Sequence, residues 1–110
     1  MSWCFCKIEK ENYVLENELA FAIWDIKPAS TGHMLIIPKM HSETFFDVCK
    51  EEREACFELL EKAKELIDEK YKPDGYNIVV NAGEAAGQTV FHLHIHLIPR
   101  YKGQTVSVLA

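Results

Sequence analysis

Near its C-terminal end the chain reads Phe91-His92-Leu93-His94-Ile95-His96-Leu97-Ile98-Pro99-Arg100, and this segment organises the rest. In a β-strand successive side chains point to opposite faces, so one strand here would carry three histidines on one face and apolar residues on the other. A single histidine on a strand is usually a satisfied core residue. Three in alternation are different, because packing imidazoles side by side costs like-charge repulsion and gains nothing for folding alone. The row predicts a site that uses imidazole as nucleophile, acid, base or metal ligand.

A loop of small residues, Gly83-Glu84-Ala85-Ala86-Gly87-Gln88-Thr89-Val90, comes directly before the histidines. It would bring backbone amides, the Gln88 amide and the Thr89 hydroxyl to the mouth of the strand. Such groups suit phosphate oxygens. A plain turn is the alternative, since turns also favour glycine, but the neighbouring histidines favour a phosphate site.

Length and composition limit the class of protein. The 110 residues predict a single domain, 1–110, with one core, and the 48% hydrophobic and 26% charged residues are ordinary for a soluble chain. A formal net charge of −5 argues against a protein that coats nucleic acid, which needs clustered Lys and Arg, but it allows a mononucleotide in a pocket. The apolar runs are too short for a membrane span and no targeting signal is visible, so we expect a cytoplasmic protein without membrane contact.

The rest of the chain alternates short strand patterns with one long helical pattern. Apolar residues recur at helical spacing from about Cys49 to Tyr71, with charged residues opposite, and Pro73-Asp74-Gly75 ends the helix. We predict five strands, at 13–15, 19–26, 33–37, 76–82 and 91–99. The fold class predicted is therefore α+β: a five-stranded, mainly antiparallel sheet with one main helix on a face.

The segment Gly87-Gln88-Thr89-Val90-Phe91-His92-Leu93-His94-Ile95-His96-Leu97-Ile98-Pro99-Arg100 resembles the motif of the histidine triad (HIT) family of nucleotide hydrolases and transferases. Upstream, Asp25-Ile26, Gly32-His33, residues 36–41 and Asn81 also fall where that family has its supporting residues. The resemblance covers nearly the whole chain. It implies a homodimer with a sheet continuous across the interface, and a purine nucleotide of the AMP type as substrate.

The resemblance also implies roles for individual residues. His94 would be the nucleophile that forms a nucleotidyl-histidine intermediate, and His96 would hydrogen-bond the phosphate. Gln88 and Thr89 would place the phosphate and the leaving group, and His92 would orient the site or ligate zinc. The nucleotide-binding set implied is Asp25, Ile26, Asn81, Gly87, Gln88, Thr89, His94 and His96, with Asp25 on the ribose hydroxyls and His33 in an outer shell. Either core packing or the wall of a base pocket would suit Ile8, Phe21 and Ile23.

Cysteines raise the question of a metal. In a cytoplasmic setting thiols or metal ligands are expected rather than disulfides; Cys49 and Cys56, at the helix, fit capping or buried positions. Bacterial relatives carry Cys-x-x-Cys near the N-terminus, which with two histidines holds structural zinc, whereas this chain has Cys4-Phe5-Cys6. Two thiolates one residue apart on an extended segment need a bend to converge. The resemblance implies a zinc set of Cys4, Cys6, His41 and His92, and thiols without metal are the alternative.

The activity expected is hydrolysis of a nucleoside 5′-monophosphate from its leaving group, such as an amine or a nucleotide, with no cofactor required for catalysis. Two alternatives stay open. One is a nucleotidyltransferase, although relatives that use a sugar phosphate carry Gln at the third histidine position, where this chain has His96. The other is a non-enzymatic module that binds a nucleotide or zinc.

Overall fold

The computed structural model of the chain describes residues 8–106. In chain order, its strands and its one described long helix are β1 (Leu15–Glu16), β2 (Ala20–Trp24), β3 (Met34–Pro38), α1 (Lys50–Tyr71), β4 (Gly75–Val79) and β5 (Ile95–Arg100). Short 3₁₀ turns lie at Lys10–Asn12 and Glu84–Ala86.

The five strands form one sheet in the order β1-β2-β3-β5-β4, and all neighbouring pairs are antiparallel. The long connection from β3 through α1 and β4 places β5 in the sheet between β3 and β4. In this register His96 lies between Leu35 of β3 and Val79 of β4. The predicted α+β class with one main helix and a five-stranded antiparallel sheet is therefore confirmed.

Helix α1 covers one face of the sheet. Its buried stripe consists of Glu52, Cys56, Leu59, Ala63 and Ile67. The apolar members pack on the inward side chains of β2, β3 and β5, which are Ala20, Ala22, Met34, Ile36, Ile95 and Leu97. Burying this many aliphatic groups is the main favourable term in folding. The helix ends at Tyr71, just before the Pro-Asp-Gly sequence that predicted its end, and its cap residue Lys72 takes the left-handed conformation (φ 51°).

The opposite face of the sheet carries the site. Strand alternation turns Leu35 away from the helix while Met34 and Ile36 face it, and in the same way it separates His96 from Ile95 and Leu97. A smaller cluster of Phe21, Leu35 and Ile37 forms there, flanked by partly buried side chains. The helix therefore builds the core on one face and leaves the other for a cavity.

Strand boundaries differ from the sequence prediction, most of all in the histidine row. The predicted strand 91–99 begins only at Ile95, and residues 91–94 have no strand pairing. Because period-two alternation holds only within a strand, the shared face of His92, His94 and His96 stays a prediction. Predicted strands 19–26 and 76–82 are also shorter, at Ala20–Trp24 and Gly75–Val79. Within residues 8–106 no helix is long and apolar enough to cross a membrane.

Candidate functional site

A cavity of about 780 Å³ lies on the face of the sheet opposite α1. This volume lies in the range of small-molecule sites. Apolar groups form much of its wall, and a few polar side chains reach into it. The lining residues are Ile8, Asn12, Ile23, Trp24, Asp25, Ile26, Lys27, Leu35, Thr89, Val90, His94 and His96. Two of the three histidines of the row therefore meet in one cavity with a carboxylate and a hydroxyl.

His94 is held by the chain just before it. Its Nδ1 lies 2.9 Å from the backbone carbonyl oxygen of His92. A carbonyl oxygen only accepts, so Nδ1 carries the proton, and in the neutral ring the lone pair is on Nε2. This is the tautomer that a nucleophilic histidine needs.

His96 stands next to His94, with ring centroids 4.9 Å apart and planes at 68°. Its Nδ1 lies 2.9 Å from Nε2 of His33. The backbone N–H of Ala29 donates to Nδ1 of His33 at 3.0 Å, so the His33 ring carries its proton on Nε2 and donates to His96. His96 then accepts at Nδ1 and holds its own proton on Nε2. One histidine in the cavity therefore offers a lone pair and its neighbour offers an N–H donor.

The site keeps its histidines neutral. Burial lowers the pKa of His96 to about 4, with further lowering from His94 and His33. Burial likewise lowers the pKa values of His33 and His94, against the opposing charge of Asp25. Around neutral pH each ring therefore has one donor and one acceptor nitrogen, as the tautomer assignment requires.

His92, the first histidine of the row, is not in the cavity. It is fully buried, its Nε2–H donates to the carbonyl oxygen of Pro38 at 2.9 Å, and its ring stacks on His41 with centroids 5.0 Å apart. Since residues 91–94 are not a strand, His92 turns toward the end of β3. Its contribution to the cavity is its backbone carbonyl, which fixes the tautomer of His94.

Gln88 holds the loop before the histidines. Its side chain is 2% exposed, its Oε1 accepts from the Gly83 amide at 2.7 Å, and its Nε2 donates to the carbonyls of Glu43 and Val90 at 2.6 and 3.0 Å. All three partners are backbone groups. The structure therefore places Gln88 behind the cavity wall, whereas Thr89 lines the cavity.

Gly87 and Asn81 lie together at the edge of this loop. Gly87 has a φ of 96°, and a Cβ there would lie 3.6 Å from Nδ2 of Asn81. The left-handed backbone explains the glycine in the motif. Neither residue lines the cavity, so their predicted contact with a nucleotide stays a prediction.

Asp25 joins the histidines to the rim of the cavity. Its Oδ1 accepts from the backbone N–H of Lys27 at 2.8 Å, and its Oδ2 lies 3.4 Å from Nε2 of His33. Asp25, His33 and His96 bring three ligand atoms within 4.8 Å of one another, the two-histidine, one-carboxylate set of some iron sites. However, the Ala29 amide keeps the proton of His33 on Nε2, where a metal would need a lone pair. This cluster fits a hydrogen-bond network and not a metal centre.

Sequence reasoning located part of the cavity wall. Ile8, Ile23 and Ile26 line it, whereas Phe21 stacks on Tyr13 at 4.1 Å in the neighbouring cluster, which is the core-packing alternative. The prediction missed a second set of lining residues, namely Asn12, Trp24, Lys27, Leu35 and Val90. The alternation of β3 places Leu35 on the same face as His33, so that one residue could have been found from the sequence.

The described part of the predicted zinc set is His41 and His92. Because His92 donates from Nε2 to Pro38, Nδ1 is the nitrogen through which it would bind a metal. The stacked imidazole of His41 is exposed and adjacent. These two residues fit half of a tetrahedral site with nitrogen and sulfur ligands. Cys4 and Cys6 lie outside the described residues. Of the other thiols, Cys49 is the exposed N-cap of α1 and Cys56 is buried, as predicted.

Comparison with known proteins identifies the relatives of this chain. The family profile described as "HIT domain" matches residues 7–103. Protein hit of Bacillus subtilis is 40% identical over 101 residues, which are 88% of this chain and 70% of that protein. Adenosine 5′-monophosphoramidase hnt1 of Schizosaccharomyces pombe is 36% identical over 91% of this chain and 75% of its own length. Bis(5′-adenosyl)-triphosphatase of Dictyostelium discoideum is 35% identical over 86% of this chain and 64% of its own length.

Solved structures agree with these matches. A HIT family protein from Bacillus anthracis superposes with a TM-score of 0.80 at 39% identity, covering 87% of this chain and 71% of that chain. A zinc-bound histidine triad family protein from Mycobacterium smegmatis superposes with a TM-score of 0.79 at 36% identity, covering 86% of this chain and 69% of its own. The fold and the sequence therefore point to the same relatives.

Proposed function

The chain belongs to the histidine triad (HIT) family, and on that premise we propose that it is a nucleotide hydrolase that releases a nucleoside 5′-monophosphate through a nucleotidyl-histidine intermediate. Relatives named as a monophosphoramidase and a triphosphatase of adenosine compounds support an AMP-type substrate. The arrangement of His94 and His96 in the cavity supports the chemistry.

The reaction has two displacements at the α-phosphorus. His94 Nε2 attacks phosphorus, the bond from phosphorus to the leaving group breaks, and the leaving group departs with its electron pair and takes up a proton from solvent. Water then attacks the same phosphorus and gives up a proton to solvent, the P–N bond breaks with its electron pair returning to Nε2, and His94 regains its neutral form as the monophosphate leaves. The N–H of His96 stabilises the charge that develops on the phosphoryl oxygens in both steps.

One observation carries this proposal: the His92 carbonyl fixes the proton of His94 on Nδ1 beside a neutral His96 that donates from Nε2. A nucleophile and an oxyanion donor then need no proton transfer before reaction. Such preorganised groups are the largest contributors to catalysis of this type.

The rest of the cavity suits a nucleoside. The apolar wall formed by Ile8, Ile23 and Leu35 fits the faces of a purine. The Asp25 carboxylate fits the vicinal hydroxyls of ribose, because it can accept two hydrogen bonds. The hydroxyl of Thr89, exposed at the cavity, fits a phosphate oxygen or the leaving group.

Replacing His94 by Ala tests the proposal. The change should reduce single-turnover release of AMP from adenosine 5′-phosphoramidate by several orders of magnitude, because no neighbouring ring can attack from the same position. Mass spectrometry of peptides from the wild type should find the adenylyl group on the segment that contains His94. Thermal unfolding and AMP binding serve as controls and should be little changed. Turnover of the variant at the wild-type rate would contradict the assignment.

The same assay separates the two other candidate functions. Transfer of AMP to an added sugar phosphate in preference to water would indicate a nucleotidyltransferase. Tight AMP binding without turnover of phosphoramidate or diadenosine polyphosphate substrates would indicate a binding module. His96 in place of Gln favours water as the acceptor.

We also propose that the chain holds structural zinc. The donor set would be Cys4, Cys6, His41 and His92. The chemistry that the ion would supply is structural, tying the N-terminal segment to the end of β3. His94 and His96 act without it, since their tautomers are set by protein groups.

We further propose a homodimer built on the outer edge of β4. This strand is the last in the sheet, and Ile78 in its middle is 58% exposed. An unpaired edge with an exposed apolar side chain is a template for pairing with another strand. A second copy of β4 in antiparallel register would cover it across a two-fold axis.

A further inference from the structure

The N–H of His33 donates to His96 and lies beside the carboxylate of Asp25. Its Nε2 lies 2.9 Å from Nδ1 of His96 and 3.4 Å from Oδ2 of Asp25. The proton must be on this nitrogen, because the Ala29 amide donates to the other one. His33 is also 3% exposed, so water has little access to compete for the proton. The hydrogen bond from His33 to His96 therefore lies next to a carboxylate that can compete for the same N–H.

The two acceptors differ in strength and in surroundings. An ionised carboxylate attracts an N–H more strongly than a neutral imidazole at the same distance, so Asp25 weakens the hydrogen bond from His33 to His96 even though its contact is longer. Hydrogen bonds donated to that carboxylate from elsewhere weaken this attraction. One is present already, from the backbone N–H of Lys27 to Oδ1. Asp25 also lines the cavity, so a ligand bound there can supply further donors.

We infer that His33 couples recognition of the sugar to catalysis: hydroxyls that donate to Asp25 shift the His33 N–H toward His96 and so strengthen His96 as a donor to the phosphoryl group. The inference rests on the proposed function and links its ribose contact to the chemical step. Substrates with a vicinal diol next to the reacting phosphate are selected in the chemical step as well as in binding. His33 is a positioning residue in this scheme, since it touches neither the substrate nor the reacting atoms.

The coupling acts through a chain of donors. With its Nδ1 accepting a full hydrogen bond from His33, His96 is held as the tautomer with a proton on Nε2, and its ring is fixed in orientation. Without that bond the ring could exchange its proton between the two nitrogens and would lose the donor for part of the time. No net proton transfer is needed, because every member begins and ends neutral or, for Asp25, ionised.

Two substitutions of His33 separate its role as a hydrogen-bond donor to His96 from simple packing. His33→Gln keeps an N–H donor toward His96, whereas His33→Phe keeps a planar ring and removes the donor. Each variant and the wild type would be assayed with adenosine 5′-phosphoramidate and with its 2′,3′-dideoxy analogue, measuring kcat and KM separately. Thermal unfolding of both variants checks that they fold.

We expect the dideoxy analogue to lower kcat of the wild type by about tenfold, the effect of one weakened hydrogen bond in the transition state. The loss should persist in His33→Gln and largely vanish in His33→Phe, whose kcat is already low with both substrates. An unchanged kcat and a raised KM for the analogue in all three proteins would overturn the inference. So would a His33→Phe variant that folds and has wild-type kcat.

A measurement without turnover distinguishes failure of this inference from failure of the proposed function. Long-range ¹H–¹⁵N spectra of the imidazoles report the tautomer of His96. The proton should be on Nε2 in the wild type with AMP bound, less completely so with 2′,3′-dideoxy-AMP, and divided between both nitrogens in His33→Phe. If these spectra behave as expected but no substrate is hydrolysed, the proposed function fails and the hydrogen-bond coupling stands. Identical spectra with both ligands would overturn the coupling even in an active enzyme.

Discussion

Replacement of Gln88 by Ala should destabilise the fold much more than it affects the reacting groups directly. The side chain is buried and forms three hydrogen bonds to backbone groups, with Gly83, Glu43 and Val90. A typical internal hydrogen bond contributes about 0.5–1.5 kcal/mol net, and backbone groups left buried without a partner cost more. We therefore expect the free energy of unfolding to fall by about 2–4 kcal/mol. For a domain of this size that corresponds to a Tm lower by about 8–17 °C.

Denaturant and thermal unfolding of Gln88→Ala and of a matched control, Thr89→Ala, would measure the effect. Thr89 is exposed and lines the cavity, so its variant should unfold within about 0.5 kcal/mol of the wild type. Turnover by Gln88→Ala should fall at temperatures where the loop loosens and recover on cooling. If Gln88→Ala kept wild-type stability while losing turnover at all temperatures, the side chain would be a phosphate contact and the loop-holding role would be refuted.

Three further predictions concern pH, assembly and metal. The pKa of His96 is lowered from 6.5 to about 4 on folding, so the unfolded chain takes up the proton first as the pH falls. The contribution of His96 to the free energy of unfolding should therefore be complete above pH 6.5 and be lost as the pH drops toward 4, and His96→Gln should show a shallower pH dependence. Sedimentation at tens of micromolar should give a dimer for the wild type and a monomer for Ile78→Lys, whose charge opposes edge pairing; a wild-type monomer of 12.7 kDa would count against the dimer. Protein purified without added metal should contain close to one equivalent of zinc and melt at a lower temperature with a chelator; less than about a tenth of an equivalent and an unshifted melt would refute the zinc proposal.

Local patterns in the sequence determined the architecture. The helical stripe that includes Cys56, Leu59 and Ile67 predicted a helix covering one face, and Pro73 predicted where it ends. Both features can be predicted from sequence, because the helix depends on the periodicity of one element and its end depends on a single proline. The residues proposed to react were also found locally, since the motif that carries His94 and His96 is continuous in sequence.

The hydrogen-bond partners of those residues, in contrast, come from the folded sheet. The bond between His33 and His96 joins positions 63 residues apart, and it depends on the register that pairs Leu35 with His96 across β3 and β5. His92 lies outside the cavity and backbone groups surround Gln88. Both placements depend on the irregular chain before β5, where no helix or strand periodicity predicts side-chain direction. Side-chain alternation predicts which face a residue takes inside a strand. Hydrogen-bond partners and tautomers are set by which strands pair and in what register, and that is a property of the whole sheet.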